Sequence, residues 1–199
     1  MPIKFITDII LKGVLPLPVR KWVCYLYFYI LPVLSIALAM LGGWDIAVEM
    51  GNWAIGLFFV VLFSSPLAKL LPGLKFIRLV TTLRRELGVL SFWFVVAHLA
   101  GILYALKIFS WTELSALLSL DSLYLWGFLG AIGMLYLGVT SNTASVKLLK
   151  GAWKKSHIIV VYPTMIFSVV HTILAGEGGT WIVLSVLYLS LKLYLYFKH

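Results

Sequence analysis

Three histidines, His98, His157 and His171, stand inside long apolar stretches of the sequence. An ionisable side chain is costly to bury in a membrane-sized apolar segment, so such residues usually have a function. Imidazole nitrogens are common ligands of heme iron. The three side chains therefore predict cofactor binding, and histidines held only by packing and hydrogen bonds are the alternative. The fourth histidine, His199, is the last residue and is expected to be solvated.

The spacing of the histidines separates two levels of the membrane. His157 and His171 lie 14 residues apart, which is close to four helical turns. Their rings leave the same helix face about 21 Å apart along the axis, so they cannot bind one ion together. A heme iron with two imidazole ligands needs its second histidine from a facing helix. His98 is expected at the same outer depth as His171, and the two are the predicted ligands of one b-type heme.

Arg84 marks the corresponding inner level on the helix of His98. It lies 14 residues before His98 and therefore on the same helix face. His157 is the one histidine at this inner level, and Arg84 stands where a second ligand would be. A guanidinium there suits a heme propionate, a flavin phosphate or a lipid phosphate, or else it only marks a helix end. We expect Arg84 and His157 to form an inner site for a second heme, FMN or a quinone.

Other metal sites lack suitable ligands in this sequence. The apolar segments contain no carboxylate except Glu86 at a margin, which argues against di-iron and hard-cation sites. The histidines are too far apart for zinc. The lone Cys24 excludes an intrachain disulfide and covalent c-type heme attachment. Five glycines allow either close helix packing or space for a flat macrocycle: Gly88, Gly101, Gly127, Gly130 and Gly133.

The composition indicates an integral membrane protein. Of the 199 residues, 62% are hydrophobic and 12% charged, and the mean hydropathy is +1.05. Roughly a quarter of an ordinary soluble domain is charged, and a membrane-spanning helix needs about 20 apolar residues. Six segments meet that requirement: Trp22–Leu41, Asn52–Leu71, Glu86–Leu106, Ser122–Thr140, His157–Ala175 and Trp181–Phe197. The expected fold is an all-α, six-helix transmembrane bundle over residues 22–199, preceded by an interfacial segment with a short helix over residues 1–21.

The charges in the loops predict the orientation of this bundle. The net charge of +9 is better explained by topology than by nucleic-acid binding, because the cations gather in alternate loops. Lysines and arginines fill the N-terminal segment and the second and fourth loops. The first loop carries Asp45 and Glu49, and the fifth carries Glu177. Both termini are therefore expected on the cytoplasmic side.

The sequence also resembles a known family through one combination of motifs. These are Arg84-Arg85-x-x-Gly88, His98, Thr140-Ser141, Trp153-x-x-x-His157 and His171. The combination resembles the heme-binding membrane subunit of the bacterial periplasmic methionine sulfoxide reductase system (MsrQ), within the wider ferric reductase-like transmembrane group. The resemblance covers about Trp22 to Phe197 and implies a bacterial inner-membrane protein with a bis-histidine outer heme on His98 and His171. In oxidases of the wider group two histidine pairs bind two hemes, and here Arg84 stands in place of the fourth histidine.

The function implied by this resemblance is electron transfer across the membrane. The donor would be a cytoplasmic flavin reductase or quinol, and the acceptor a periplasmic molybdenum-containing methionine sulfoxide reductase. The chain would then be an electron-transfer subunit rather than a complete enzyme. It shows no glycine-rich nucleotide fingerprint, so electrons from NAD(P)H would arrive through a separate protein. Two other functions stay open: a ferric reductase acting on a small iron chelate, and a cofactor-free transporter or assembly factor with histidines as a proton relay.

Overall fold

The computed structural model describes residues 30–198, and within this range the chain forms helices and turns and no strand. The helices are α1 (Leu31–Leu41), α2 (Gly43–Leu70), α3 (Lys75–Thr82), α4 (Arg84–Ala105), α5 (Trp111–Leu117), α6 (Leu123–Thr140), α7 (Thr143–Leu149), α8 (Gly151–Leu174) and α9 (Gly179–Phe197). The predicted N-terminal interfacial helix, the first part of the predicted first span and His199 lie outside the described residues.

Five helices in this range are long and apolar enough to cross a membrane: α2, α4, α6, α8 and α9. They confirm the second to sixth predicted spans, and α1 is the described part of the first. The prediction that Asp45 and Glu49 lie in a loop is wrong, because α2 already begins at Gly43. A bend at Gly42 and Gly43 joins α1 to α2 without a loop, and Gly43 has a φ of +72°, a conformation that glycine adopts without strain.

Local caps order the segments between the spans. At the start of α5, the Ser110 hydroxyl accepts a hydrogen bond from the Glu113 backbone N–H. The Glu113 carboxylate in turn accepts from the backbone N–H groups of Phe109 and Ser110, which lowers the pKa of this carboxyl. The Asn142 side chain caps α7 by accepting from the Ser145 backbone N–H at 2.8 Å. The connecting segments thus hold short helices rather than irregular loops.

Two helix pairs form the frame of the bundle. The helix α4 packs mainly on α2 and also on α1, whereas α8 packs mainly on α6. Small residues permit the first of these contacts, since a Cβ on Gly101 would lie 2.7 Å from the Ala47 Cβ. The buried core consists of Ile55, Phe58, Phe59, Leu62, Met134, Met165, Val169 and Tyr188. Arg84 and His98 lie on α4, which belongs to the first helix pair. His157 and His171 lie on α8, which belongs to the second pair.

The outside of the bundle is apolar. Large hydrophobic side chains are exposed along the spans, among them Val139 on α6, Ile159 on α8 and Leu193 on α9. A water-soluble monomer rarely exposes continuous apolar surface of this extent. In a bilayer the same side chains face lipid at no cost, and the helices satisfy their own backbone hydrogen bonds. The fold is therefore that of a multi-pass, all-helical membrane protein.

Candidate cofactor site

His98 on α4 and His171 on α8 meet across the interface between the two helix pairs. Their ring centroids are 6.1 Å apart, and the ring planes are nearly perpendicular at 73°. Two imidazoles on opposite sides of one metal ion have centroids about 6 Å apart, since each metal–nitrogen bond is about 2 Å and each centroid lies about 1 Å further. The spacing of this pair is therefore compatible with both rings holding one metal ion.

Hydrogen bonds fix which nitrogen of each ring is free. The His98 Nδ1 lies 2.7 Å from the Ala47 carbonyl oxygen, and the His171 Nδ1 lies 2.8 Å from the Leu123 carbonyl oxygen. A carbonyl only accepts, so each Nδ1 carries the proton and donates it. In a neutral imidazole the lone pair is then on Nε2. In metal-binding histidines, the ring nitrogen that does not bind the metal usually donates its N–H to a carbonyl or carboxylate oxygen. Both His98 and His171 have this arrangement.

A cavity of about 340 Å³ borders both rings. Its walls combine apolar side chains such as Val95, Leu99 and Met134 with the glycines Gly51 and Gly127. A Cβ on either glycine would come within 3.0 Å of an imidazole atom, so side chains there would take space that the rings use. The donor set, the apolar walls and the missing Cβ atoms all fit a flat iron macrocycle held between two imidazoles. Among the described residues, no cluster of three or more His, Cys, Asp or Glu side chains could hold a metal ion.

His157 at the inner level is held differently. The Thr140 hydroxyl lies 2.6 Å from the Tyr136 carbonyl oxygen and donates its only proton there. The His157 Nε2, 2.8 Å from the same hydroxyl, must therefore be the donor in that bond. The ring also packs on the Trp153 indole with centroids 4.2 Å apart, and Trp153 Nε1 donates to the Thr140 carbonyl oxygen. The nitrogen that is free in His98 and His171 is thus occupied in His157.

Arg84 is the first residue of α4 and faces the same inner region. Its guanidinium donates to the Ser65 hydroxyl of α2 at 2.8 Å. The Arg84 side chain is exposed. Each of the two residues thus bonds a hydroxyl near the inner end of a facing helix, Ser65 for Arg84 and Thr140 for His157. Arg84 begins α4 and His157 lies in the second turn of α8, while their shared role in an inner site stays a prediction.

The five glycines predicted either to allow close helix packing or to leave space for a macrocycle have different surroundings in the structure. Gly127 lies against a histidine ring, whereas Gly101 and Gly133 allow helices to approach, Gly101 at Ala39 and Ala47 and Gly133 at Thr164. Gly130 lies near the Ser168 hydroxyl, and Gly88 faces open space. Gly51, Ala47 and Leu123 were not among the residues predicted from the sequence. Gly51 could have been noticed from the sequence as a glycine on the helix before a histidine-bearing span. The carbonyl groups of Ala47 and Leu123 could not, because their contacts with the histidines depend on how the helices pack.

The fold defines a class: all-helical, multi-pass membrane proteins, here with two imidazoles facing each other between two helix pairs. The chain belongs to the family of ferric reductase-like transmembrane components, whose pattern matches residues 50–169. This range contains His98, His157 and the whole of α4 and α6, and it ends just before His171. No solved structure matches the chain.

Several curated relatives carry the same name. The protein-methionine-sulfoxide reductase heme-binding subunit MsrQ of Xanthomonas axonopodis pv. citri (strain 306) is 28% identical over 127 residues, which are 64% of this chain and 56% of the relative. The subunit of that name from Caulobacter vibrioides (strain ATCC 19089 / CIP 103742 / CB 15) is 28% identical over 113 residues, 56% of this chain and 52% of the relative. The chain thus spans about half the length of these relatives, and the recognised resemblance is confirmed.

Proposed function

We propose that this chain is a heme-binding membrane subunit that transfers electrons for an oxidoreductase. One observation carries the proposal: His98 and His171, from different helices, have ring centroids 6.1 Å apart. Each ring also donates Nδ1–H to a main-chain carbonyl, which leaves Nε2 for a metal. The names of the relatives supply heme as the cofactor of this family. We assign His98 and His171 as the residues that would hold it, and b-type heme, which is bound without a covalent link, fits a chain whose lone cysteine, Cys24, forms no C-x-x-C-H motif.

The chain's own residues orient the ligands and exclude water. Heme bound at this site would accept and release one electron at a time. The carbonyl groups of Ala47 and Leu123 hold the imidazoles in one tautomer, so no reorientation is needed when the charge at the site changes. Apolar walls that include Val95 and Leu99 limit solvent access, which is one of the levers that set a heme potential.

The inner level suits an anionic group. Arg84, Lys154 and Lys155 are exposed near the first turns of α4 and α8, and His157 on α8 is half-buried. Such cations attract a phosphate or carboxylate. We propose that this inner site receives electrons from a cytoplasmic flavin reductase or from quinol, with FMN, a quinone or a second heme as its occupant. A heme on His157 would use Nδ1 in this arrangement, because Nε2 donates to Thr140.

The orientation of the bundle decides whether the inner level is cytoplasmic. We propose that both termini face the cytoplasm of a bacterial cell and that the bundle, with residues 1–21 as an interfacial segment, lies in the inner membrane. A periplasm-active reporter fused after Glu177 should then be active, and one fused after Lys150 should be inactive. These positions lie between α8 and α9 and between α7 and α8. The opposite result would reverse the proposed direction of electron flow.

The acceptor follows from the relatives' names as a proposal. We propose a periplasmic methionine sulfoxide reductase with a molybdenum cofactor as the partner. A second candidate is a ferric chelate, which is favoured by the description of the family itself. Anaerobic mixing of the reduced, purified chain with each acceptor should show reoxidation by the reductase at a rate that saturates with its concentration. Faster reoxidation by a small ferric chelate, with none by the reductase, would favour the second candidate.

The direct test of the proposed function is the colour of the pure protein. We expect a Soret band, a protoheme pyridine hemochrome spectrum and a six-coordinate, low-spin form in both redox states. Heme per chain then distinguishes one occupied level from two. A monodisperse, helical preparation that stays colourless after heme is supplied would overturn the proposal and favour the cofactor-free transporter or assembly factor.

A further inference from the structure

The two outer histidines are seated in the same way on neighbouring helices. A Cβ on Gly51 would lie 2.8 Å from the His98 Nδ1 and 3.0 Å from its Cε1. A Cβ on Gly127 would lie 2.8 Å from the His171 Nδ1 and 2.9 Å from its Cε1. Real Cβ contacts of this kind are essentially never shorter than 3.0 Å. Each imidazole edge therefore occupies the space that a side chain at the glycine would need.

The hydrogen-bond acceptors repeat in the same register. The His98 Nδ1 donates to Ala47, four residues before Gly51, and the His171 Nδ1 donates to Leu123, four residues before Gly127. Four residues are about one helical turn, so each acceptor carbonyl lies one turn from its glycine on the same helix. The acceptor precedes its histidine by 51 residues in the first case and by 48 in the second. The helix pairs α2–α4 and α6–α8 thus contain the same arrangement, which we call an imidazole seat. In each, a glycine lies against the edge of the ring, and a backbone carbonyl one turn earlier accepts the Nδ1–H.

We infer that Gly51 and Gly127 are positioning residues that set the orientation of the His98 and His171 rings toward the cofactor. This inference rests on the proposed heme site and deepens it. The glycine lets the ring edge approach the helix backbone, and the carbonyl one turn earlier then fixes the rotation of the ring about its axis. The seats belong to different helix pairs, and the ring planes that they hold are 73° apart.

A methyl group in the seat should move the ring rather than unfold the helix. Alanine is a better helix former than glycine, so Gly51→Ala and Gly127→Ala do not weaken α2 or α6 as helices. The added Cβ collides with the imidazole, which must tilt away and lengthen its bond to the carbonyl. Two matched controls exist. A Cβ at Gly56, on the same helix as Gly51, meets nothing nearer than the Trp181 ring at 3.9 Å, and a Cβ at Gly88 faces open space.

The experiment compares full-length wild type, Gly51→Ala, Gly127→Ala, Gly56→Ala and Gly88→Ala, each purified in nanodiscs and loaded with heme b. Electron paramagnetic resonance of the ferric form reports the relative orientation of the imidazole planes, and carbon monoxide reports an open position on the ferrous form. We expect both seat variants to shift the largest g value of the low-spin signal and to gain a carbon monoxide-binding fraction. The two controls should match wild type. Wild-type resonance signals and no carbon monoxide binding in both seat variants would overturn the inference while leaving the heme site standing.

A second comparison decides the case where a seat variant takes up no heme. His98→Gly opens space for free imidazole, which should restore the six-coordinate spectrum. Adding Gly51→Ala to that variant should weaken imidazole binding about tenfold, because the Cβ intrudes on the same space. Equal imidazole affinity in the two backgrounds would overturn the inference. If wild type itself binds no heme, the proposed function fails first and the inference fails with it.

Discussion

The outer and inner levels of the bundle use the same helices but hold their histidines in opposite ways. At the outer level, His98 and His171 each donate Nδ1–H to a main-chain carbonyl and keep Nε2 free. At the inner level, His157 donates Nε2–H to the Thr140 side chain and packs on Trp153. The two levels therefore differ in which ring nitrogen keeps its lone pair: Nε2 in His98 and His171, and Nδ1 in His157.

The two levels also differ in symmetry and charge. The outer level pairs two imidazoles in equivalent seats around an apolar cavity. The inner level has one imidazole, that of His157, and the exposed guanidinium of Arg84. The imidazole hydrogen-bonds the Thr140 hydroxyl, and the guanidinium hydrogen-bonds the Ser65 hydroxyl. Arg84 takes the place that a histidine would hold in a symmetric arrangement, 14 residues from the outer ligand of its helix. The outer level therefore suits a buried redox cofactor, and the inner level suits an anionic group near the membrane surface.

The largest effect should come from removing an outer ligand. His98→Ala or His171→Ala leaves one imidazole at the site, and we expect heme content to fall by about tenfold or more, with the remainder five-coordinate and high-spin. Pyridine hemochrome per chain and the visible spectrum measure this. His157→Ala, which removes an imidazole of the other level, should leave the low-spin spectrum of the outer heme unchanged. Full occupancy with a low-spin, six-coordinate spectrum in both outer variants would remove the ligand assignment.

A smaller effect is expected at the inner level. His157→Ala removes the contact with Trp153 and the bond to Thr140, together worth about 2 kcal/mol, which corresponds to a reduction rate lowered about thirtyfold if the residue holds the donor site. The spectrum of the outer heme should not change. Stopped-flow reduction by a flavin reductase or quinol, normalised to heme, provides the measurement. An unchanged rate would mean that His157 contributes only to helix packing.

Arg84→Ala tests the charge at the same site. We expect reduction to slow by about tenfold at low ionic strength and by less at high salt, because the guanidinium is exposed and screened. Arg84→Lys should recover part of the rate, since it keeps the charge but loses the paired hydrogen bonds. Arg78→Ala, which removes a cation of α3, is the control for a general loss of positive charge. A rate that is independent of both Arg84 variants would remove this residue from the inner site.

The spans and the outer histidine pair followed from sequence because both depend on simple periodicities. Apolar length gave five helices: α4, α6 and α9 agree with the prediction within two residues at both ends, whereas α2 and α8 begin nine and six residues before the predicted starts. The position of His98 and His171 in the outer part of their spans predicted that the two rings could meet. The start of α2 was misplaced, because the acidic residues Asp45 and Glu49 broke the apolar run although the helix continues through them. Charged residues at the edge of an apolar run therefore do not mark the end of a helix.

The seats of the rings could not be predicted, because they depend on how neighbouring helices pack. Ala47 and Leu123 contribute only backbone carbonyls, which no residue type reveals. Gly127 was recognised as one of several glycines, and its contact with His171 depends on the register of α6 against α8. The same is true of the bond from His157 to Thr140. The motif contained both residues, but their chain separation of 17 gives no distance between them.

The smallest effect tests whether the bond to Thr140 is what distinguishes the inner histidine from the outer ones. In Thr140→Val the acceptor of the His157 Nε2–H is lost, while the stacking on Trp153 at 4.2 Å remains. The loss of one partly buried hydrogen bond is worth about 1 kcal/mol, so we expect heme reduction to slow about fivefold, less than in His157→Ala. Thr82→Val is the control, because the Thr82 hydroxyl bonds the Arg78 carbonyl within its own helix and the shape change is the same.

If the inner histidine needs a fixed Nε2 donor, Thr140→Ser should restore the rate, since serine returns the hydroxyl. A Thr140→Val rate equal to that of wild type, with the Thr82→Val control also unchanged, would mean that the stacking on Trp153 alone positions His157. The hydroxyl would then have no part in the contrast between the two levels.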